Sequence, residues 1–360
     1  MGKKKNNKDI VPQTRTRLIV IDIMISLAMM FVVMGHLSVG QEPQWYTSGI
    51  HSWIYSFHMQ LFLFLSAFLI KYTYKEIKSL LEYIKYIWRK FKKFFIWFIV
   101  IGLGVSLIAC PKFGITFTGD YVWQSLRTLL LYPRNSEASF LWYIYVLFGY
   151  YLISPIVFKL PQWGRVLLCI ASMFLAMLPA SNFLATHDFC HYTFFYFLGV
   201  LSAEWIEEIR NLKGWKLGLS AIPFVAYTIW VFGSAMQYGF DHTHLGWWLI
   251  VTGTASIPFF YVVAKLLSRS AFLSKMATVI SKNCYWIYLL QMFIIWGVVH
   301  AINLLFQQNP PPFWIFLIVT TILAMAIPTL LGHYFKAIID RQRKKRDNCL
   351  SHPAKNTSLK

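Results

Sequence analysis

An all-α protein that crosses a membrane about ten times is the fold class this sequence predicts, and three observations carry it. The first is composition: 57% of the 360 residues are hydrophobic and 13% are charged, about half the charged share of an ordinary soluble domain. The second is that apolar runs of about 20 residues, long enough to cross a bilayer as helices, recur along the whole chain. The third is where the charge falls. The 34 Lys and Arg set a net charge of +20, a balance that by itself would admit nucleic acid. If the N-terminus lies inside, however, all but Lys112, Arg127 and Arg134 of those residues fall in segments on the cytoplasmic side. That asymmetry orients membrane helices, so the basicity reads as topology and no nucleic-acid partner is expected.

The apolar runs fall at 18–40, 50–70, 94–110, 140–158, 166–181, 189–204, 217–236, 245–264, 284–305 and 313–333. An even number of crossings puts both termini in the cytoplasm. The basic start at 1–17 resembles the charged region of a signal sequence. The run that follows is too long, contains Asp22 and lacks a small-residue cleavage site, so it is expected to stay as the first span. Between the second and third runs, 71–93 alternates lysines with apolar residues at helical spacing, which predicts an interfacial helix. Residues 119–133 are apolar but short and carry Arg127, which predicts a helix on the outer surface or re-entering it. Prolines at 310–312 predict a rigid outer turn, and the basic, then polar 341–360 predicts a disordered cytoplasmic tail. The cysteines Cys110, Cys169, Cys190, Cys284 and Cys349 are odd in number and scattered, with no disulfide or metal spacing.

Polar groups inside the runs are the candidates for function, because each one is costly in lipid. In the first run Asp22, Ile25, Met29 and His36 share a helical face. In the second, His51, Tyr55 and His58 share a stripe, so neighbouring helices carry His36 and His58 to a similar depth. Such histidines either fix packing by hydrogen bonds across helices or move protons near neutral pH. His187, His191, His242 and His244 lie on the outer side, but no third ligand stands at diagnostic spacing and no metal is expected. Asp120, Glu137, Asp188 and Asp241 on the same side are solvated or sugar-binding. Arg89, Lys90, Lys92 and Lys93 end abruptly at the third run. They set topology, or they form a phosphate-binding patch at its cytoplasmic mouth.

Several stretches taken together resemble the acyltransferase type 3 family of membrane O-acyltransferases, the fucose 4-O-acetylase-like proteins. "RLIVID" with "LAMMFVVMGH" looks like the family's first span, ending on its catalytic histidine, here His36. "IYSFHMQLFLFLSAFL" resembles the element that carries a second histidine, here His58. "WRKFKKFFIWF" is similar to the basic run entering the third span, "FLWYIYVLFGYYLISPIV" to an aromatic span, and "KNCYWIYLLQMFI" to a late one. The matches keep the family's order over residues 17–295. Ile25 stands where members usually carry Arg or Lys, Gln60 where they carry Pro, and Ala67 where they carry Gly. Phe140 and Gln291 stand where histidine is usual.

The resemblance implies a transmembrane acyltransferase domain over 18–340 in the plasma membrane of a bacterial cell. Its donor substrate would be cytoplasmic acyl-CoA, usually acetyl-CoA, with no permanently bound cofactor. Its acceptor would be a hydroxyl of a cell-surface or lipid-linked carbohydrate. In that reading His36 is the general base or acyl carrier and His58 assists. Asp22 orients the helix interior or counters a cationic neighbour. Arg89, Lys90 and Lys93 hold the donor's phosphates, and Trp142, Tyr143, Tyr145 and Glu137 meet the sugar. The alternative is a non-catalytic glycan-lipid transporter or membrane partner on the same fold.

Overall fold

Apolar runs in lipid have only their own backbone to bond to, which forces helix, and helix is what forms. The computed structural model describes residues 17–37, 42–112, 116, 118–238, 246–306 and 311–351. Among them no strand occurs. Helix α1 is Ile19–Gly35, and a π-helical stretch Trp45–His51 leads into α2, Ser52–Tyr55, and α3, His58–Tyr72. Then come α4 (Leu80–Lys112), α5 (Gly119–Leu131), α6 (Trp142–Val157), α7 (Gln162–Leu175), α8 (Thr186–Glu204) and the short α9 (Ile206–Arg210). Helices α10 (Gly214–Tyr238), α11 (Gly246–Leu267), α12 (Ala271–Leu305) and α13 (Phe313–Ser351) complete the bundle.

Every predicted run contains a helix, although that of the first run ends at Gly35 and that of 166–181 at Leu175. Seven helical stretches among the described residues are long and apolar enough to cross a membrane: Trp45–Tyr72, Leu80–Ala109, Ser139–Val157, Gly214–Ser234, Trp247–Leu267, Ala271–Leu305 and Phe313–Ile338. Ile19–Gly35 and Gln162–Leu175 are shorter apolar helices, and α8 is interrupted by His187, Asp188, His191 and Glu204. The chain is therefore a multi-pass membrane protein, with seven spans by this measure where about ten were expected.

Two local expectations need correction. Residues 80–93 do not form a separate interfacial helix, because α4 runs unbroken from them into the third span; no proline or glycine stands between Leu80 and Ile101 to stop it. The tail does not begin at 341, since α13 continues to Ser351; residues 352–360 lie outside the described residues. The predicted surface helix at 119–133 is present as α5, with Thr118 capping it through Tyr121 N–H at 3.2 Å. Of the proline turn, 311 and 312 are described and Pro310 is not.

Helices α3 and α8 approach closely. A Cβ on Gly199 would fall 2.3 Å from the Phe64 carbonyl oxygen, so only glycine lets these backbones approach, as at small-residue interfaces in membranes. Phe31, Trp53, Phe57, Phe224 and Phe260 pack together at 4.8–5.9 Å, mostly edge to face, with Phe57 stacked on Phe260.

Candidate active site

The second span breaks at Ser56 and Phe57, and the break is repaired by side chains. The freed Ser56 carbonyl accepts a hydrogen bond from Thr252 Oγ1 of α11 at 2.8 Å. His58, 3% exposed at the start of α3, bonds the Ile54 carbonyl through Nδ1 at 2.8 Å. A carbonyl only accepts, so Nδ1 carries the proton and Nε2 is left as the basic nitrogen. A π-helical stretch and a repaired break at one spot are common marks of functional sites.

His36 caps the C-terminus of α1, where helix carbonyls lack partners. Tyr46 OH donates to Met34 O at 2.5 Å and Tyr55 OH to Gly35 O at 3.1 Å. Gly35 makes room for this: its missing Cβ would meet the Tyr55 ring at 3.0 Å. The tyrosines thus fix the helix end that presents His36. His51 stacks on Tyr55 at 4.2 Å and Tyr55 meets His58 at 4.8 Å, while His36, His51 and Arg134 all lie near enough to act on the charge of His58. The two predicted histidines do converge.

The surroundings of His36 come from α12 and the approach to α6. Its ring meets Phe140 edge-on at 6.4 Å, and its side chain adjoins the Gln291 amide. His36 Nδ1 and both polar atoms of Gln291 are buried without a full hydrogen bond, a costly state. Phe140 and Gln291, the two positions where histidine was expected from the resemblance, therefore border His36 itself.

The other predicted residues divide. Asp22 lies fourteen residues before His36, about 21 Å along a helix. It is tied to Arg17 by two hydrogen bonds and accepts from Ser281 Oγ at 2.7 Å. It does not reach the histidines, so the shared face seen in sequence is not a shared site. Arg89, Lys90 and Lys93 are together: they line an open cavity of about 730 Å3 with Lys75, Lys85, Tyr86 and Tyr151. Lys90 Nζ sits 3.9 Å over the Tyr151 ring.

Tyr143 joins α6 to α3 through Ser66 at 2.6 Å. Tyr145 donates to the Leu130 carbonyl, and Glu137 accepts from Ser106 Oγ at 3.2 Å and Tyr121 OH at 3.4 Å. Both therefore face α4 and α5 rather than the histidines. Trp142 is 5% exposed, with the Arg134 guanidinium 4.1 Å from its ring and Tyr192 stacked on it at 5.2 Å. It has no open face for a sugar.

Sequence reasoning missed Arg134. It stands in a 3-10 turn, Pro133–Asn135, and forms a two-pronged pair with Asp188 at 2.9 and 2.6 Å. Burial works against its charge, but the hydrogen bonds and charge of Asp188 outweigh that and raise its pKa. Asp188, 2% exposed, occupies the first turn of α8. The helix is entered through Leu184 and Ala185 with positive φ of 51° and 54°, a strained entry for residues with a Cβ. His187 and His191 stack at 5.8 Å. Among the described residues no three His, Cys, Asp or Glu side chains gather as a metal site would need; His242, His244 and Asp241 lie outside them.

A family model described as an acyltransferase domain, of type 3, matches residues 18–330. The chain belongs to the acyltransferase type 3 family. No curated protein and no solved structure matches it. Membership makes this multi-pass protein a membrane acyltransferase, and the converging histidines and the basic cavity lie within the matched residues of that acyltransferase domain.

Proposed function

We propose that the protein transfers an acyl group, in the first instance acetyl, from cytoplasmic acyl-CoA to a hydroxyl of a carbohydrate at or beyond the outer face of the plasma membrane. The observation that supports this reading is that one helix, α12, touches a wall of the basic cavity and also adjoins His36. Tyr285 OH of α12 donates to the carbonyl of Lys93, a cavity residue, at 3.1 Å. Gln291, which adjoins His36, follows six residues later, about 9 Å along the helix. A donor whose phosphates rest on Arg89, Lys90 and Lys93 would direct its thioester along α12 toward an acceptor at His36. Phosphates suit such a cluster because charge-assisted hydrogen bonds are strong.

In the step itself, the acceptor hydroxyl oxygen attacks the thioester carbonyl carbon while His36 takes the hydroxyl proton. The carbonyl oxygen carries the negative charge. Collapse re-forms the carbonyl, breaks the carbon–sulfur bond and expels the thiolate, which recovers the proton from His36. His58, with Nδ1–H held by Ile54 O, has its Nε2 available to hold the imidazole or the acceptor hydroxyl. Asp22, tied to Arg17, keeps the entry of the first span neutral and takes no part.

The test is ester-linked acyl content. Cells carrying the protein should show alkali-labile acetyl groups on surface carbohydrate that are absent without it, and purified protein should release free CoA from acetyl-CoA in the presence of that carbohydrate. A protein that accumulates normally yet produces neither would leave the non-catalytic transporter as the reading.

A further inference from the structure

We propose that the groove between α1, α12 and α13 is a binding site for an anionic phospholipid of the cytoplasmic leaflet, with an acyl chain in the groove and the headgroup phosphate on Lys275. The groove encloses about 690 Å3. Its walls run from Ile23 to Met30 on α1, from Phe272 to Ile280 on α12 and from Thr321 to Thr329 on α13. Stretches of that length extend about 12 Å along a helix. One end lies at the turn between α11 and α12, marked by Leu267 and Phe272. The charge distribution assigns that end of the bundle to the cytoplasm.

The lining selects the occupant. Its hydroxyls are turned onto helix carbonyls. Ser26 bonds the carbonyls of Asp22 and Ala277 at 2.9 and 3.0 Å, Thr321 that of Leu317 at 2.6 Å, and Thr329 that of Met325 at 2.7 Å. What faces the groove is hydrocarbon, open sideways past exposed Phe272, Met276 and Ile322. Such a surface suits an acyl chain, whereas a sugar or a solvated peptide would lose water without replacement hydrogen bonds.

Lys275 is the one charged residue on the lining, and among the described residues no carboxylate lies within ion-pair distance of it. It stands fifth in α12, after the Ser270 cap. Helical side chains lean toward the N-terminus, which brings this cation toward the positive end of the helix dipole. An anion bound there offsets both the missing partner and the dipole. Hydrocarbon along the groove with an unpaired cation at its cytoplasmic mouth is the complement of a lipid tail and a phosphate, and basic residues at that surface attract anionic lipids. A zwitterionic lipid brings the same chain but no net charge to Lys275. Seated there, the lipid bridges α1, which presents His36, and α12, which carries Gln291.

The experiment uses the full chain, purified in detergent, stripped of lipid and titrated with phosphatidylglycerol or with phosphatidylethanolamine of identical chains. Native mass spectrometry reads bound lipid and oligomeric state together. Wild type should hold its first phosphatidylglycerol about tenfold more tightly than phosphatidylethanolamine, roughly the effect of one charge-assisted hydrogen bond. K275Q should bind the two alike. K216Q, whose lysine lies over the Trp215 ring at the start of α10, should keep the preference. A326W, which fills the groove from α13, should weaken both lipids. Equal affinity in wild type, a preference lost as fully in K216Q as in K275Q, lipid held undiminished by A326W, or a dimer in place of bound lipid would each overturn the assignment. The headgroup comparison needs wild type alone, so it decides the matter even where a variant does not accumulate. Acyl transfer is not measured, so a negative result here leaves the acyl-transfer reading untouched.

Discussion

His36 stands at the residue scale as the side chain whose environment asks most of it. Its Nδ1 is buried without a partner beside the equally unpartnered Gln291 amide, a state with a cost of about 1–3 kcal/mol per group that a bound hydroxyl would relieve. If it serves as general base, His36→Ala should reduce acylation about 100- to 10,000-fold with insertion unchanged. His36→Gln, which retains a polar side chain of similar reach, should not rescue it. An active His36→Gln at wild-type abundance, measured by released acetate, would reduce the residue to packing. Trp142 makes the opposite case. Its aromatic motif suggested a sugar platform, yet its ring is covered by Arg134 and Tyr192, and its work is to hold a guanidinium.

Among the elements, α4 carries the most direct consequence, because its unbroken course puts the basic run on one wall of the 730 Å3 cavity. Arg89, Lys90 and Lys93 line that cavity, while Lys78 and Lys92 do not; Lys92 lies 5.5 Å over the Trp88 ring instead. Each charge-assisted phosphate contact contributes about 1.5–3 kcal/mol. Lys90→Ala and Lys93→Ala should therefore raise the donor KM about tenfold or more, and Lys78→Ala and Lys92→Ala should leave it within about twofold. Equal small effects at all four would assign the run to topology alone.

How legible each element was follows from the range of the forces that make it. Apolar runs, the α5 cap and the basic run depend on residues within a turn or two, and those were readable. That Tyr55 links the end of α1 carrying His36 to His58 agrees with the two histidines lying at similar depth on neighbouring spans, which was readable because each lies on an identifiable face. Arg134 and Asp188 stand 54 positions apart and meet only because the chain turns through the left-handed Leu184 and Ala185, which no periodicity reveals. The break at Ser56 was hidden for a similar reason, since its repair comes from Thr252, 196 positions away. Asp22 shows the reverse error: a common helical face says nothing of depth, and about 21 Å separates it from His36.

At the scale of the whole molecule, the distribution of basic residues predicts an orientation that accessibility labelling can check. Single cysteines introduced at 44, 240 and 309 should react from outside in intact cells, and those at 80 and 345 only after permeabilisation. The inverted pattern would place the histidine end toward the cytoplasm and the basic cavity outside, which would leave cytoplasmic acyl-CoA on the wrong side.

The break between α2 and α3 also bears on how the chain is made. Asp22 finds Arg17 five positions away, so the first helix is neutralised as soon as it leaves the ribosome. The open carbonyl at Ser56 has no such local remedy and must wait for Thr252 on α11, and Gln291 reaches His36 only when α12 follows. Biogenesis therefore passes through a stage in which the first two spans stand in the bilayer with an unfinished polar notch. The pocket closes as one of the last acts of assembly, so a chain stalled before α11 would be a substrate for membrane quality control rather than a partly active enzyme.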